Sequence, residues 1–229
     1  MSSVVSRYQA VEKELAAAIS ACGRRRDEVL LLPVSKTVPA ECIAELYEYG
    51  IRCFGENRAA VLCAKAEALP KDICWHFIGP LQSNKVRKVV QHASMVHSID
   101  DVGILERFDR IVGEEGKRTE FLLEVNISGE ASKGGVSPGE LDALATRAAA
   151  AEHAVWKGLM TMAPFGANET TLRDIFGRLT AERDRLSKVY QRELPVLSMG
   201  MSGDYRVAVA CGSTLVRLGS CIFSGEESR

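Results

Sequence analysis

The sequence predicts a (β/α)₈ barrel with an extra N-terminal helix, and three observations support this α/β fold class. Eight short apolar runs alternate with longer amphipathic stretches along the 229 residues, a pattern typical of parallel strands joined by helical crossovers. A doubly wound open sheet has the same alternation, but no G-x-G-x-x-G follows the first run, where a dinucleotide-binding sheet of that type would carry it. Polar and small residues crowd the C-terminal ends of the runs, where a barrel places its functional groups.

The chain begins with a stretch that predicts an amphipathic helix. In "MSSVVSRYQAVEKELAAAIS", charged residues interrupt the apolar positions at Arg7, Glu12, Lys13 and Glu14. A secretory signal peptide needs an uninterrupted apolar core. The first segment is therefore interpreted as part of the fold and not as a targeting sequence.

The remaining elements alternate in a regular order. Apolar runs predict strands at 29–35, 51–55, 74–79, 95–99, 120–127, 155–160, 195–200 and 215–219. Amphipathic patterns predict helices at 39–49, 56–68, 82–92, 101–113, 137–152, 168–190 and 203–211. No Pro/Gly/Ser-rich linker and no low-complexity run divides them, so we expect a single domain over residues 1–229.

Composition excludes several classes of function. The net charge is −1 with both signs scattered, which gives no basic face for nucleic acid. No stretch approaches the roughly 18 apolar residues of a membrane span, so we expect no membrane partner and a cytoplasmic location. The seven cysteines include no C-x-x-C pair and the four histidines no H-E-x-x-H spacing. This pattern favours reduced thiols and gives no support to a metal site.

The last two strands predict a phosphate-binding site. In "SMGMSGDYRVAVACG", Ser202 stands where a helix N-cap is expected, and the N–H groups at a helix start bind phosphate. In "VRLGS", Gly219 allows close approach of the backbone and Ser220 adds an N–H and a hydroxyl. The loops after strands 7 and 8 are the usual phosphate site of a barrel.

A lysine completes the pattern. The first strand ends in "PVSK", which directs Lys36 to the same barrel mouth. A phosphate site opposite a lysine indicates pyridoxal 5′-phosphate, whose aldehyde forms a Schiff base with lysine. Arg217 on the last strand would then lie beside the pyridine nitrogen of the cofactor.

At these motifs the chain resembles the pyridoxal phosphate homeostasis proteins, the YggS/PROSC family. The resemblance covers about residues 7–225 and rests on six blocks in order: "PVSKT", "FGENR", "WHFIGPLQSNK", "GLMTMAP", "LSMGMSGD" and "GSTLVRLGSCIFS". It implies a barrel of the alanine racemase N-terminal type. Two departures are small: Ser220 stands where the family commonly has Thr, and "SKGGVSPGEL" is a variant of the usual loop after strand 5.

The resemblance also implies roles for individual residues. Lys36 matches the cofactor lysine, and Arg217 faces the ring nitrogen. The phosphate is held by Ser202, Gly219 and Ser220. Four further positions match the pocket wall: Asn57, His76, Met160 and Ser198. For two of these a packing role is the competing interpretation, because His76 lies in the apolar run "CWHFIG" and Met160 in a run of methionines at the barrel top.

Three functions remain open at this stage. The first is a non-catalytic protein that holds pyridoxal phosphate, regulates its free level and passes it to the apo-forms of enzymes that use it. The second is an amino-acid racemase with the same cofactor, although racemases of this fold resemble a barrel plus a C-terminal β domain that supplies a tyrosine. The third is a barrel that binds another phosphorylated metabolite without a covalent link. For the first function we expect a monomer or a weak dimer.

Overall fold

Eight parallel strands form one sheet in the computed structural model, in the order β1-β8-β7-β6-β5-β4-β3-β2. The structure describes residues 3–36, 38–130 and 133–224; Ser132, the first residue of the variant loop after strand 5, is outside these ranges. The strands are β1 Leu30–Pro33, β2 Cys53–Glu56, β3 Cys74–Phe77, β4 Ala93–Ile99, β5 Glu120–Glu124, β6 Val155–Met160, β7 Val196–Ser198 and β8 Leu215–Leu218. A parallel bridge between Val34 and Gly55 joins the two ends of the sheet. The predicted barrel and its eight strands are confirmed.

Helices follow the strands, and all but the last of those described lie where the sequence predicts a helix. They are α1 Val4–Ala21, α2 Ala40–Glu48, α3 Ala59–Ala68, α4 Val86–His92, α5 Val102–Glu114, α6 Leu141–Ala149, α7 Glu169–Tyr190, α8 Tyr205–Ala210 and α9 Ser220–Phe223. None of the helices in the described ranges is long and apolar enough to cross a membrane.

The boundaries differ from the predicted ones where strands and helices meet. The predicted helix 56–68 begins only at Ala59, because Glu56 still belongs to β2 and pairs with Phe77 of β3. The predicted helix 137–152 begins at Leu141, after the turn Ser137-Pro138-Gly139. Proline and glycine favour such a turn over the helix interior.

Two apolar layers hold the barrel together. The larger core lies between strands and helices and includes Leu15, Phe54, Phe108, Phe121 and Phe176, all buried. A smaller cluster is formed by Met95, Leu122 and Met160 of the adjacent strands β4, β5 and β6. Close-packed interiors of this kind leave the strand ends as the places where polar groups collect.

The N-terminal helix α1 packs on the last helices of the barrel. Its buried residues recur every three or four positions at Val4, Tyr8, Val11, Leu15 and Ile19, as one face of an α-helix requires. The Ser3 hydroxyl caps the helix by accepting from the N–H of Ser6 at 3.1 Å. The face contacts α8 and α9, so the predicted extra helix supports the segment that follows β7 and β8.

Arg7 of α1 fixes the end of the short helix α9. Its guanidinium donates to the carbonyl oxygens of Ile222 at 2.7 Å and of Phe223 at 3.2 Å. A cation that binds the last carbonyls of a helix satisfies acceptors that have no intrahelical partner. Helix α1 therefore holds the end of α9, the helix that begins at Ser220.

Candidate functional site

Lys36 follows β1 at the C-terminal mouth of the barrel, with its side chain exposed. The preceding Ser35 is fully buried, and both its N–H and its hydroxyl donate to the carbonyl oxygen of Gly55, at 2.9 and 3.2 Å. The backbone before Lys36 is thereby tied to β2. The amine of Lys36 is therefore accessible to a ligand at the mouth, while the backbone that carries it is fixed.

A buried ion pair supports this turn. The Lys65 ammonium lies 2.7 Å from Glu56 Oε2 and 2.6 Å from the carbonyl oxygen of Ser35. Glu56 also accepts from the N–H of Asn57 at 2.8 Å. Because a buried charge is stable only when paired and hydrogen-bonded, these contacts hold the ends of β1 and β2 together. Lys65 was not predicted from sequence, although a lysine within the apolar run "AAVLCAKAEA" was the available signal.

The predicted phosphate residues meet at the ends of β7 and β8. The Ser220 hydroxyl lies 3.3 Å from the Ser202 hydroxyl, which is 3.4 Å from Cys221 Sγ. Ser220 and Cys221 begin α9, and the N–H groups of a first helical turn lack intrahelical acceptors. Two hydroxyls and two such N–H groups form what we call the serine cradle, made of Ser202, Ser220 and Cys221.

Two sequence-based details of this region are different in the structure. Ser202 is not the N-cap of α8; that position belongs to Asp204, whose Oδ1 accepts from the N–H of Met201 at 2.6 Å. The Ser202 hydroxyl is left free to turn toward Ser220. At Gly219, a Cβ would lie 3.2 Å from the carbonyl oxygen of Val34. The close approach at this glycine is therefore to Val34, which directly follows β1 and precedes Lys36 by two residues.

Arg217 of β8 is buried inside the barrel and donates three hydrogen bonds. One nitrogen donates to the carbonyl oxygen and the hydroxyl of Ser198, at 2.7 and 2.6 Å, and the other to the carbonyl oxygen of Thr161 at 3.0 Å. Burial lowers the pKa of Arg217 to about 10, with Asp204 and Glu124 opposing the change. The guanidinium therefore stays charged at neutral pH and is fixed by β6 and β7.

Two histidines extend this network across the barrel. His97 Nδ1 is 2.9 Å from the Ser198 hydroxyl, and His97 Nε2 is 3.0 Å from His76 Nδ1. Burial lowers the pKa of His76 to about 4. The pKa of His97 also lies well below its ordinary value, first because of burial and then because of the neighbouring His76 and the charge of Arg217. Two neutral imidazoles satisfy each other, since each has one donor and one acceptor.

The network gives His76 a hydrogen-bond partner inside the barrel, and its place in the pocket wall stays a prediction. His76 is a hydrogen-bonded interior residue, and its partner His97 was not selected from sequence. The signal was available in "MVHSI", where strand alternation places Met95, His97 and Ile99 on one face. Met160 packs in the smaller cluster with Met95 and Leu122.

Two polar atoms at the mouth have no hydrogen-bond partner among the residues that the structure describes. Asn57 Oδ1 and Glu124 Oε1 are both buried and unpaired, which is uncommon for buried polar groups. Glu124 ends β5, and its pKa is raised to about 7, first by burial and then by Asp100, while Arg217 opposes the increase. The backbone of Asn57 packs closely against Gly79: a Cβ at Gly79 would overlap the carbonyl oxygen of Asn57.

Comparison with known proteins places the chain in a family. The model of the alanine racemase N-terminal domain matches residues 9–227. The pyridoxal phosphate homeostasis protein of Aquifex aeolicus is 38% identical over 95% of this chain and 96% of its own length. The chain belongs to the pyridoxal phosphate homeostasis protein family. The Escherichia coli K12 protein of that name is 36% identical over 99% of this chain and 98% of its own length.

Solved structures agree with this assignment. PipY of Synechococcus elongatus, whose structure contains bound PLP, superposes with a TM-score of 0.80 at 36% identity, covering 91% of this chain and 99% of that one. Alanine racemase from Bartonella henselae superposes with a TM-score of 0.71 at 17% identity, covering 99% of this chain and 59% of that one. The racemase shares the fold, and the family relationship lies with the homeostasis proteins.

Proposed function

We propose that this protein binds pyridoxal 5′-phosphate at the C-terminal mouth of its barrel and takes part in the homeostasis of that cofactor without substantial catalysis. The observation that carries the proposal is the adjacency of three strands. Lys36 follows β1, Arg217 lies on β8 and Ser202 follows β7, and these strands are neighbours in the order β1-β8-β7. A primary amine, a buried cation and a pair of hydroxyls are thus brought to one side of one mouth.

The chemistry of these residues fits the cofactor. Pyridoxal phosphate supplies an aldehyde that reacts with a primary amine, and Lys36 offers an exposed one. The serine cradle offers hydroxyls and helix N–H groups, which bind a phosphate dianion. Gly219 precedes Ser220 and lies against Val34, which is two residues before Lys36. This backbone contact brings the segment that carries the amine next to the segment that carries the cradle. Asn57 Oδ1 at the mouth has no hydrogen-bond partner within the described ranges, which supports a bound partner there.

Arg217 supports binding over catalysis. Reactions at the Cα of an amino acid are helped by an acidic partner that keeps the pyridine nitrogen protonated. Arg217 carries a fixed positive charge held by Ser198 and Thr161, and a cation beside that nitrogen disfavours its protonation. Its buried neighbours His76 and His97 are neutral, so they add no proton to the site near neutral pH.

The wider role follows from the relatives. Proteins of this family are named for pyridoxal phosphate homeostasis, which supports release of the cofactor to the apo-forms of enzymes that require it. We propose one cofactor-binding domain over residues 1–229, acting in the cytoplasm as a monomer or weak dimer. The seven unpaired cysteines support a reducing compartment.

Absorbance spectroscopy tests the proposal. The purified protein is titrated with pyridoxal phosphate, with and without borohydride, beside Lys36→Ala and the matched control Lys188→Ala on the exposed face of α7. We expect a visible absorbance band and a borohydride-fixed adduct in the parent and in Lys188→Ala, and neither in Lys36→Ala. A fixed adduct of equal yield in Lys36→Ala would contradict the proposal.

A further inference from the structure

A second concave site lies at the opposite end of the barrel from Lys36. It is a cavity of about 380 Å³ near the amino-terminal ends of β3, β4 and β5. We call it the lower pocket and define it by six of its lining residues: Lys71, Trp75, His92, Ser94, Lys117 and Arg118. None of these residues belongs to the mouth described above.

Positive charge dominates the rim of the lower pocket. Lys71, Lys117 and Arg118 all line the pocket, and all three residues are exposed. The acidic residues nearby in sequence are paired elsewhere: Asp72 with Arg52, Glu115 with Arg87 and Glu120 with Lys157. The pKa of His92 is lowered, first by burial and then by the charge of Lys117. The exposed Glu67 opposes this change but is outweighed. Among the described residues, the lining therefore includes three cations and no carboxylate.

Two of the cations are fixed in place. The Lys71 ammonium donates to the carbonyl oxygens of Ala66 at 2.6 Å and of Glu67 at 2.9 Å. Lys117 donates to the carbonyl oxygens of Val90, at 3.2 Å, and of Gln91. These acceptors are in the last turns of α3 and α4, so the lysines cap two helix ends. Each ammonium has three donors and retains one for a ligand, at little further loss of side-chain entropy.

Arg118 is the cation without a structural task. Within the described ranges, no hydrogen bond or ion pair is formed by its guanidinium. A guanidinium presents five donors in a planar fork that matches phosphate. Arg118 is thus available to a ligand, whereas the two lysines are already positioned.

The interior of the pocket has a different character from its rim. Ile73, Trp75 and Ala93 line it and are buried. These residues give the pocket a small apolar floor beneath a mainly polar lining. A pocket that combines an apolar surface with convergent polar groups is typical of a small-molecule site. The cavity is the size of a small metabolite, and a fully hydrated inorganic ion would leave its apolar wall unused.

We infer that the lower pocket is a second binding site, for a small phosphate monoester that carries a ring. Arg118 and the free donors of Lys71 and Lys117 bind the phosphate, and the ring lies against the wall formed by Trp75. The site is separate from the mouth and does not depend on the function proposed for it.

Tryptophan fluorescence provides a direct test, because the chain has only two tryptophans. Trp156→Phe leaves Trp75 as the single reporter. The protein is first saturated with pyridoxal phosphate and reduced with borohydride, so that the mouth is filled. It is then titrated with phenyl phosphate, and with phenol as the uncharged comparison. We expect a saturable change with phenyl phosphate, competition by inorganic phosphate and no saturation with phenol.

Charge-removing variants decide where the probe binds. Arg118→Gln should weaken binding by about tenfold, as loss of a charged hydrogen bond predicts. The variant should unfold at the parent temperature, because Arg118 forms no hydrogen bond or ion pair with the described residues. Lys188→Gln, an equal charge change on α7, should bind as the parent does. A cofactor-free Ser202→Ala, Ser220→Ala variant should also be unaffected, whether or not the mouth binds pyridoxal phosphate.

Three outcomes would overturn the inference. The first is no saturation up to about 10 mM phenyl phosphate, which is weaker than a useful site. The second is equal affinity in Arg118→Gln and the parent. The third is an equal loss in Arg118→Gln and Lys188→Gln, which would show only a general effect of net charge.

Discussion

At the scale of single residues, the hydroxyl of Ser198 joins Arg217 to the histidine pair. It accepts from Arg217 at 2.6 Å and lies 2.9 Å from His97 Nδ1. Ser198→Ala should leave a buried ring nitrogen without its partner and lower the free energy of unfolding by about 1 to 3 kcal/mol. It should also shift the absorbance maximum of bound pyridoxal phosphate, because Arg217 loses one of its acceptors.

Ser213→Ala separates these two effects. Ser213 is an equally buried hydroxyl whose hydrogen bonds within the described ranges all go to backbone oxygens in or next to β7 and β8, such as that of Met199 at 2.7 Å. The Ser213→Ala variant should lose about as much stability as Ser198→Ala, and the absorbance spectrum of its bound cofactor should be unchanged. If both variants leave the spectrum as it is, Ser198 has no influence on the position of Arg217.

Glu124 should make stability depend on pH. Its pKa is raised from an ordinary 4.5 to about 7, so the folded protein binds this proton more tightly than the unfolded chain. The stabilisation is fully present below pH 4.5 and is lost as the pH rises to 7. The shift in the pKa of Glu124 predicts that the free energy of unfolding falls by roughly 2 to 3 kcal/mol between pH 5 and pH 8.

Urea unfolding of the cofactor-free protein measures this contribution. In Glu124→Gln the pH-dependent loss should shrink by that amount, whereas Glu193→Gln, at an exposed position, should behave as the parent does. Equal pH dependence in all three proteins would show that Glu124 titrates normally.

At the scale of elements, α1 is expected to support the serine cradle. Arg7 binds the last carbonyls of α9, and α9 begins at Ser220. Arg7→Ala should reduce the free energy of unfolding by about 1.5 kcal/mol or more and weaken retention of pyridoxal phosphate. Equilibrium dialysis of the folded variant at 25 °C measures the second effect.

Lys13→Ala is the matched control on the same helix, since Lys13 is exposed. It should change neither stability nor cofactor retention. Retention in Arg7→Ala equal to that in Lys13→Ala would show that the cradle is independent of α1.

The elements also show how far the sequence predicts this structure. Alternating apolar runs are a local signal, and all eight strands were predicted from them. The start of α8 is not predictable in this way, because Ser202 and Asp204 are both good N-cap residues. Only the tertiary contact between Ser202 and Ser220 shows which of the two is not the N-cap. Lys65 and His97 were missed for the same reason: their roles depend on partners 30 and 101 residues away.

At the scale of the whole molecule, a carrier and a racemase differ in turnover. The holo-protein is incubated with L-alanine in deuterated water, and exchange at Cα is followed by NMR. We expect exchange far below the ordinary enzymatic range of about 1 s⁻¹ or faster, because Arg217 disfavours a protonated ring nitrogen. Exchange within that range would favour the racemase.

The central claim is that the amine of Lys36 alone holds the cofactor at a mouth built from β1, β8 and β7. Peptide mapping by mass spectrometry after borohydride reduction of the holo-protein tests it most directly. We predict one modified residue, Lys36, in near-stoichiometric yield. Modification mainly at another lysine, or at none, would contradict the claim.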